Sequence, residues 1–522
     1  MKRLYRCLLA AATLLGGLLA GCNPEEKTEP VIPDNKPSSL TASPASYTAE
    51  AAGGSFDLTL KGPARPKLSR VPDWISVKDG TYQDYTLPLV LTVAANPSYD
   101  DRNATLTISC DGSSSLSYTV TQKGKERPVD PKPGTNDAWK MASKLALGWN
   151  MGNQLDAFIN WDTDRKDFPD ETVWGNPKAT QATFDGVKKA GFTSVRIPIT
   201  WLRMIGDAPQ YKIDATWMNR VAEVVGYAEK AGLNVIINTH HDECNNDGHW
   251  LDVLGASKDS AKDAAIKAEI TAVWTQIAER FKDKGDFLIF ESFNEIQDGG
   301  WGWSDEFRAD PAKQCNVLNG WNQTFVDAVR ATGGNNATRW LGVPTYAANP
   351  SFESYFRMPS DPAGHLMLAV HFYDPSEYTI GTQQYSDWGH TGAAGKKASW
   401  GDEDHVKETF SNLNTKYVAK NIPVYLGEFG CSMRKKSDTR AWGFYLYYME
   451  YVVKAAKIYG LPAFLWDNGT DGTGQEQHGY INHGTGNYIG NSKEVIDLMV
   501  KAMFTENADY TLQDVYDNAP KP

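Results

Sequence analysis

Cysteine is scarce in this chain, with six among 522 residues, and two of them, Cys7 and Cys22, fall within the first 22 positions. The other four, Cys110, Cys244, Cys315 and Cys431, are too few for a dense disulfide framework, and a Cys244–Cys315 bridge is the one pairing left open. Positive charge is also short: 52 Lys and Arg face 64 Asp and Glu, giving a net charge of −12 and a pI near 5.3. That balance disfavours a polyanionic partner and excludes nucleic acid as the expected ligand. No HExxH helix is present, so no zinc-protease pattern exists, and no metal or cofactor is expected. The longest apolar run, "CLLAAATLLGGLLAGC", is short and Gly-rich for a membrane-spanning helix. What the chain does have is 17 tryptophans within 11% aromatic residues, flat faces that suit a large core or a ligand that stacks. Its length calls for at least two domains.

Lys2, Arg3 and Arg6 precede the apolar run, and small residues end it, which is the layout of an export signal over residues 1–21. "LAGC" resembles a bacterial lipoprotein cleavage box, which implies cleavage before Cys22 and a lipid on its sulfur. Residues 22–37, polar and Pro-rich, read as a tether. Its acidic start is similar to surface-export signals of Bacteroidetes lipoproteins, implying a surface-exposed chain held on the outer membrane. Residues 38–124 alternate apolar and polar side chains in "SFDLTL", "ATLTIS" and "LSYTV", with Gly53–Gly54, Asp79–Gly80 and Asp111–Gly112 as turns, and predict a small immunoglobulin-like sandwich. With "VPDWISV" and the closing "VTQKG", this segment resembles a BACON domain. The family's name suggests carbohydrate binding, but Trp74 stands in an apolar setting without an aromatic cluster, so a spacer role is expected. Residues 125–136, "KERPVDPKPGTN", form an extended linker.

From residue 137 to 522 one pattern recurs. Eight short β-rich runs, from "LALGWN" to "PAFLWDNG", are each followed by a loop and mostly by a helical stretch, which predicts an α/β fold, a (β/α)8 barrel. The helix "DATWMNRVAEVVGYAEKAG" is explicit: Asp214 caps it, Trp217, Val221, Val224, Val225 and Ala228 share a stripe, and Gly232 follows its end. The fifth unit is the weakest, because "AANPSFESYFRMP" makes a poor helix.

Reactive groups of such barrels stand at the carboxyl ends of the strands. The expected strand ends carry Arg196 on the second, His240 on the third, Asn294 and Glu295 on the fourth, His371 and Tyr373 on the sixth, Glu428 on the seventh and Trp466 on the eighth. Two carboxylates facing across a barrel mouth are what glycoside hydrolysis needs, one protonated to donate and one ionised to attack. Carried by these motifs in order, residues 145 to about 480 resemble glycoside hydrolase family 5. The resemblance implies that Glu295 is the acid/base and Glu428 the nucleophile, with Asn294 on the sugar 2-hydroxyl. It implies further that Arg196 and Tyr373 keep Glu428 ionised, His240 and His371 line the reacting subsite, and the reacting sugar stacks on Trp466. Ile296 stands where family members usually have Pro, and "GWNMGNQLDAF" replaces the more frequent "NLGNTLDA", which leaves the substrate subclass open.

The cluster "HHDECNNDGH" is the rival chemistry, but adjacent strand residues point to opposite faces, so His240 and His241 are not expected to share a site. Trp161, Trp174, Trp201, Trp250, Trp301, Trp303, Trp388 and Trp400 lie in loops after strands, some of them packing loops rather than sugars. Trp301 and Trp303 in "GGWGWS" are the expected subsite wall. The whole reads as a monomeric, endo-acting β-1,4-glucanase on cellulose-like, mixed-linkage or xyloglucan chains. A mannanase or glucomannanase, or a non-catalytic glycan-binding protein, is the alternative. If Cys22 carries a lipid, the full chain expressed in its host partitions with membranes and Cys22→Ser moves to the soluble fraction; equal partitioning of the two in a fractionation assay refutes lipidation.

Overall fold

The computed structural model describes residues 36–126, 130–162, 164–243, 249–381, 385–506 and 510–521. Cys22 and Cys244 lie outside the described residues. The chain forms two compact units, Met1–Arg127 and Pro128–Pro522.

In the first unit, strands β1 (Thr41–Ser43), β3 (Gly54–Lys61), β6 (Thr86–Val93) and β5 (Ile75–Asp79) form one sheet. Strands β2 (Ser46–Ala49), β8 (Leu116–Gln122), β7 (Arg102–Ser109) and β4 (Lys67–Ser69) form the other. The two-residue period decides which side chains enter the core: Phe56, Leu58, Leu60, Leu106, Ile108, Tyr118 and Val120 are buried while their neighbours are polar and outward. Trp74 packs against this core with the Arg102 guanidinium 4.3 Å over its ring. Among the described residues of this unit the only exposed large hydrophobic is Val90.

The second unit is a closed parallel barrel of β9 (Leu147–Met151), β10 (Ser194–Ile197), β11 (Asn234–Ile237), β12 (Leu288–Glu291), β13 (Leu341–Pro344), β14 (Leu366–Phe372), β15 (Val424–Phe429) and β16 (Ala463–Asp467), with β16 pairing back to β9. Val195, Ile197, Val235, Ile237, Leu288 and Phe290 join the large core shared with the helices. The alternate residues Ile236, Ile289, Met367, Ala369, Tyr425 and Phe464 form a separate interior cluster. Met141 and Leu145 of the helix Asp137–Leu145 belong to that interior cluster. That helix is capped by the Asn136 side chain, which accepts from Trp139 N, and its start is held by Asn421 Oδ1. Within the segment expected as a linker, Asp130 accepts from Leu512 N at 3.1 Å and Asn136 donates to Val418 O at 2.8 Å.

The helix Ala215–Lys230 has the expected Asp214 cap on Trp217 N, and its buried stripe is the expected one with Met218 added. Gly232 follows in the left-handed region at φ +70°. The fifth crossover forms only 3-10 turns, Tyr346–Ala348 and Pro350–Tyr355. Cys315 is a free thiol buried in the helix Pro311–Ala331, and Cys244, the partner left open for it, lies outside the described residues. Among the described residues no helix is long and apolar enough to cross a membrane.

Small residues leave room for the interior cluster. A Cβ added at Gly148 would lie 2.1 Å from the Phe464 ring, which is itself fully buried. Gly148→Ala should therefore destabilise the barrel by about 1–3 kcal/mol through overpacking, read as a lower denaturant midpoint at unchanged m; an unchanged midpoint would show that the interior has slack there.

Candidate active site

The inward-facing layer above the apolar interior is polar and is organised by one side chain. Arg196, on β10, is fully buried and uses all five of its N–H groups. Its Nε and Nη2 grip Glu291, the closest contact being 2.6 Å. Its Nη1 reaches Asn150 Oδ1 at 3.0 Å and Glu428 Oε1 at 2.8 Å, and Nη2 also reaches Asn294 Oδ1 at 2.8 Å. Glu291 closes β12, one residue-pair above the interior Ile289, and is further bonded by Tyr425 Oη at 2.6 Å and Asn238 Nδ2 at 3.0 Å. Burial acts to raise the Glu291 carboxyl, but Arg196 and the Tyr425 hydroxyl outweigh it and hold it below the usual range.

Glu295 is not the end of strand four. It lies four positions past Glu291, and Asn294 N is fixed by the Thr239 carbonyl at 2.9 Å. Glu428 does stand within the last residues of β15, opposite His371 of β14, with the register shifting in both strand pairs there. His371 Nδ1 is 2.6 Å from Glu295 Oε1 and 3.8 Å from Glu428 Oε2. One oxygen of each carboxyl group lies within 4.8 Å of the other, with His371 between them. Tyr373 donates to Glu428 Oε2 at 3.0 Å. Burial, then the charge of Glu243, pushes Glu295 up to about 8. Burial raises Glu428 as well, so Arg196 does not hold it in the ordinary range unaided, although His371 and Arg196 both oppose the rise. The asymmetry between the two lies in their donors: a guanidinium and a phenol point at Glu428, whereas Glu295 has an imidazole that burial drives down to about 4, hence neutral.

The amide orientations follow from the same arginine. A guanidinium only donates, so Asn294 must turn its Oδ1 toward Arg196 and its NH2 away from it. Asn238 Oδ1 accepts from Ile199 N, so its Nδ2 faces Glu291 and His240 Nδ1, leaving the His240 hydrogen on Nε2, 4.0 Å from Glu428 Oε1. Burial, reinforced by His241, drives His240 well below its usual value, so it is neutral.

His240 and His241 do share a site, contrary to the alternation expected of strand residues. β11 ends at Ile237, and the two rings meet edge to face with centroids 4.4 Å apart. His241 lies 3.5 Å from Glu243 and 3.8 Å from Asp156; burial opposes its charge, but these carboxyls push it up to about 9. Asp156, His240 and His241 bring metal-competent atoms within 4.8 Å, as do Glu295, His371 and Glu428. The donor chemistry fits protons better than a cation: His241 is held protonated, His240 Nδ1 accepts from Asn238, and His371 Nδ1 is taken by Glu295.

Trp466 is half-buried, its ring parallel to His240 within 4° at 6.0 Å, and a Cβ added at Gly152 would meet it at 2.7 Å. Trp301 and Trp303 are 47% and 73% exposed on the loop that follows Glu295. That loop is pinned: Gln297 Oε1 accepts from Gly299 N and Trp301 N, and Asp298 from Gly300 N, Ser304 Oγ and Gln314 Nε2. Trp161 and Trp400 are exposed too, whereas Trp201 and Trp388 are buried and Trp250 is tied to Asp242, so these three pack loops. The sequence reading missed Glu291, Asn150, Asn238, Tyr425 and Asp156, and it kept His241 apart from the site. A signal for Glu291 existed in "LIFE", where it shares the inward parity of Ile289.

Residues 159–472 match the family model described as Cellulase (glycosyl hydrolase family 5), and residues 70–123 match BACON, a putative N-terminal binding domain. Endoglucanase A of Paenibacillus barcinonensis is 34% identical over 382 residues, 70% of this chain and 90% of the relative. The xyloglucan-specific endo-beta-1,4-glucanase BoGH5A of Bacteroides ovatus is 33% identical over 439 residues, 80% of this chain and 84% of the relative. Among solved structures, a GH5-4 broad specificity endoglucanase from Bacteroides salanitronis superposes with a TM-score of 0.68 at 52% identity, covering 73% of this chain and 98% of that one.

Removing one partner of a buried ion pair leaves the other uncompensated. Glu291→Gln should cost about 3–5 kcal/mol of stability and lower turnover by loosening Arg196; a loss below about 1 kcal/mol in chemical denaturation would mean that Glu428 alone neutralises Arg196.

Proposed function

The chain belongs to glycosyl hydrolase family 5 and is a glycoside hydrolase of the cellulase type; from that premise we propose that it is a retaining, endo-acting hydrolase of β-1,4-linked glucans. The observation that carries the proposal is the pair Glu295 and Glu428, with carboxyl oxygens within 4.8 Å of one another and only Glu428 contacted by Arg196 and Tyr373. A retaining mechanism uses carboxyl groups about 5–5.5 Å apart and an inverting one about 6.5–9.5 Å, and an oxygen–oxygen approach within 4.8 Å supports the nearer arrangement.

Glu428 attacks the anomeric carbon while Glu295 gives its proton to the departing glycosidic oxygen, so the C–O bond breaks as the ester to Glu428 forms. Glu295 Oε1 is engaged by His371, leaving Oε2 for that transfer. Water then attacks the glycosyl ester, Glu295 takes the water proton, and Glu428 leaves as carboxylate. Asn294 turns its NH2 toward a sugar hydroxyl, and Trp466 offers the face on which the reacting ring stacks. The open loop tryptophans Trp161, Trp301, Trp303 and Trp400 suit a long chain and internal attack. A broad range over cellulose-like, mixed-linkage and xyloglucan chains agrees with the broad-specificity and xyloglucan-specific relatives. The mannanase and non-catalytic alternatives are less favoured, because both carboxyls are present and the relatives are endoglucanases. We place the enzyme, as a monomer, on the outer membrane through Cys22, on the strength of the "LAGC" box alone.

Glu428→Ala should abolish glucan cleavage, with azide restoring part of it as a glycosyl azide of inverted configuration. Glu295→Ala should spare substrates with activated leaving groups, and azide should there give the retained product. Because the acid must be protonated, wild-type kcat/KM should fall as pH rises through about 8. Near-normal glucan cleavage by both alanine variants would remove the assignment.

A further inference from the structure

The loops after β14, β15 and β16 enclose a second recess, of about 380 Å³, lined by Tyr385, Lys396, Arg434, Lys435 and Asp438 among others. None of these touches the carboxyl pair. Arg434 is the deep member: it is buried, and it donates from Nη1 to Ser432 O at 2.7 Å and from Nη2 to Tyr378 O at 2.5 Å. Its guanidinium stands 4.8 Å over the Tyr378 ring, and its Nε has no partner. Burial acts against its charge, and Cys431, Tyr378, Tyr445 and Tyr480 outweigh it and hold the guanidinium above its usual range. Acids nearby are already engaged: Asp387 accepts from Arg440, Ser386 and Ala393 N, and Asp438 caps the helix Thr439–Ile458 through Ala441 N. Lys396 and Lys435 are exposed and form no ion pair among the described residues. Three cations thus share the recess with one carboxylate, in a chain whose net charge is −12.

A buried charge is costly unless a counter-charge reaches it, and among the described residues no carboxylate forms an ion pair with Arg434, whose hydrogen bonds go to backbone carbonyls. The unpartnered Nε of a planar guanidinium suits a carboxylate, and Tyr385, half-buried in the lining, is an aromatic of the kind on which sugar rings stack. We propose that this recess binds a carboxylate-bearing sugar, a hexuronic acid, with its carboxylate on Arg434 and the two lysines at the rim. The choice of a sugar acid over another anion rests on the glycan-hydrolase reading and on the recess opening among loops at the carboxyl ends of the strands.

The test is binding of D-glucuronate to the full chain, followed by calorimetry without any turnover, so that it stands apart from a failure of the glucanase reading. D-glucose is the neutral control and inorganic sulfate the charge-only competitor. Saturable glucuronate binding at about 1 mM is expected, lost in Arg434→Gln and weakened about tenfold in Lys396→Gln/Lys435→Gln, whose hydrolysis of soluble glucan stays unchanged. The lysine pair carries the test if Arg434→Gln fails to fold. Tighter binding of a glucuronate-substituted oligosaccharide assigns the site to polymer side chains; equal binding assigns it to the free acid. No saturable binding, binding unaltered in the variants, or glucose binding as well as glucuronate overturns the proposal. Sulfate displacing glucuronate with equal affinity overturns the sugar assignment.

Discussion

The contact between Arg196 and its two carboxylates is the constraint on which the rest of the barrel mouth depends. Glu291 takes the two-pronged side of the guanidinium and Glu428 one remaining hydrogen, while Asn150 and Asn294 take the others. Because every donor is spoken for, the arginine cannot swing, and four strands are held to one geometry through it: β9 by Asn150, β10 by Arg196 itself, β12 by Glu291 and β15 by Glu428. A lysine could not repeat this, having three donors on a point charge rather than five in a plane. Preorganisation of this kind matters because a site must hold its groups to within fractions of an ångström without rearranging at the moment of reaction.

From that anchor the difference between two chemically identical side chains follows. Glu428 is inside the reach of the guanidinium and of Tyr373; Glu295, on the segment that leaves β12, is outside it and faces a neutral imidazole. Burial pushes both upward, and the donors on Glu428 together with the charge of Glu243 beside Glu295 separate them. His241 and Glu243 add a second set of charges on the flank, with Glu243 acting to raise Glu295 and His241 to lower it. The polarity of the pair is therefore set by neighbours on β10 and by the segments after β11 and β14, not by either glutamate.

Much of this could be read in advance, and the limit has a physical form. Eight apolar runs separated by turn residues carry the barrel because parallel strands buried on both faces have little room for polar side chains, so Arg196 and Glu428 stand out where they interrupt such runs. The contact of Arg196 with Glu428 was expected, but its grip on Glu291 could not be read, because β10 and β12 are not neighbours: β11 lies between them, and only closure of the barrel brings Glu291 across. Strand ends were misjudged by three residues at His240 and four at Glu295, since the local pattern continues apolar while the ladder stops. That shift is why His240 and His241, expected on opposite faces, meet. Tryptophan content pointed to loops correctly, yet exposure could not be told from packing: Trp201 is buried and Trp303 open.

The arrangement of charges around Arg196 has a bearing on the whole reaction cycle. With Glu295 protonated, Arg196, Glu291 and Glu428 together carry one net negative charge. In the proposed retaining cycle Glu428 becomes neutral when it is esterified, and Glu295, having released its proton, becomes the anion in its place. The inventory is unchanged; the negative charge has merely moved between oxygens that start within 4.8 Å of each other. Hydrolysis of the ester moves it back. No ion has to be hydrated or dehydrated on passage through the proposed covalent state, so the low-dielectric interior that makes each charge costly is never asked to absorb a new one.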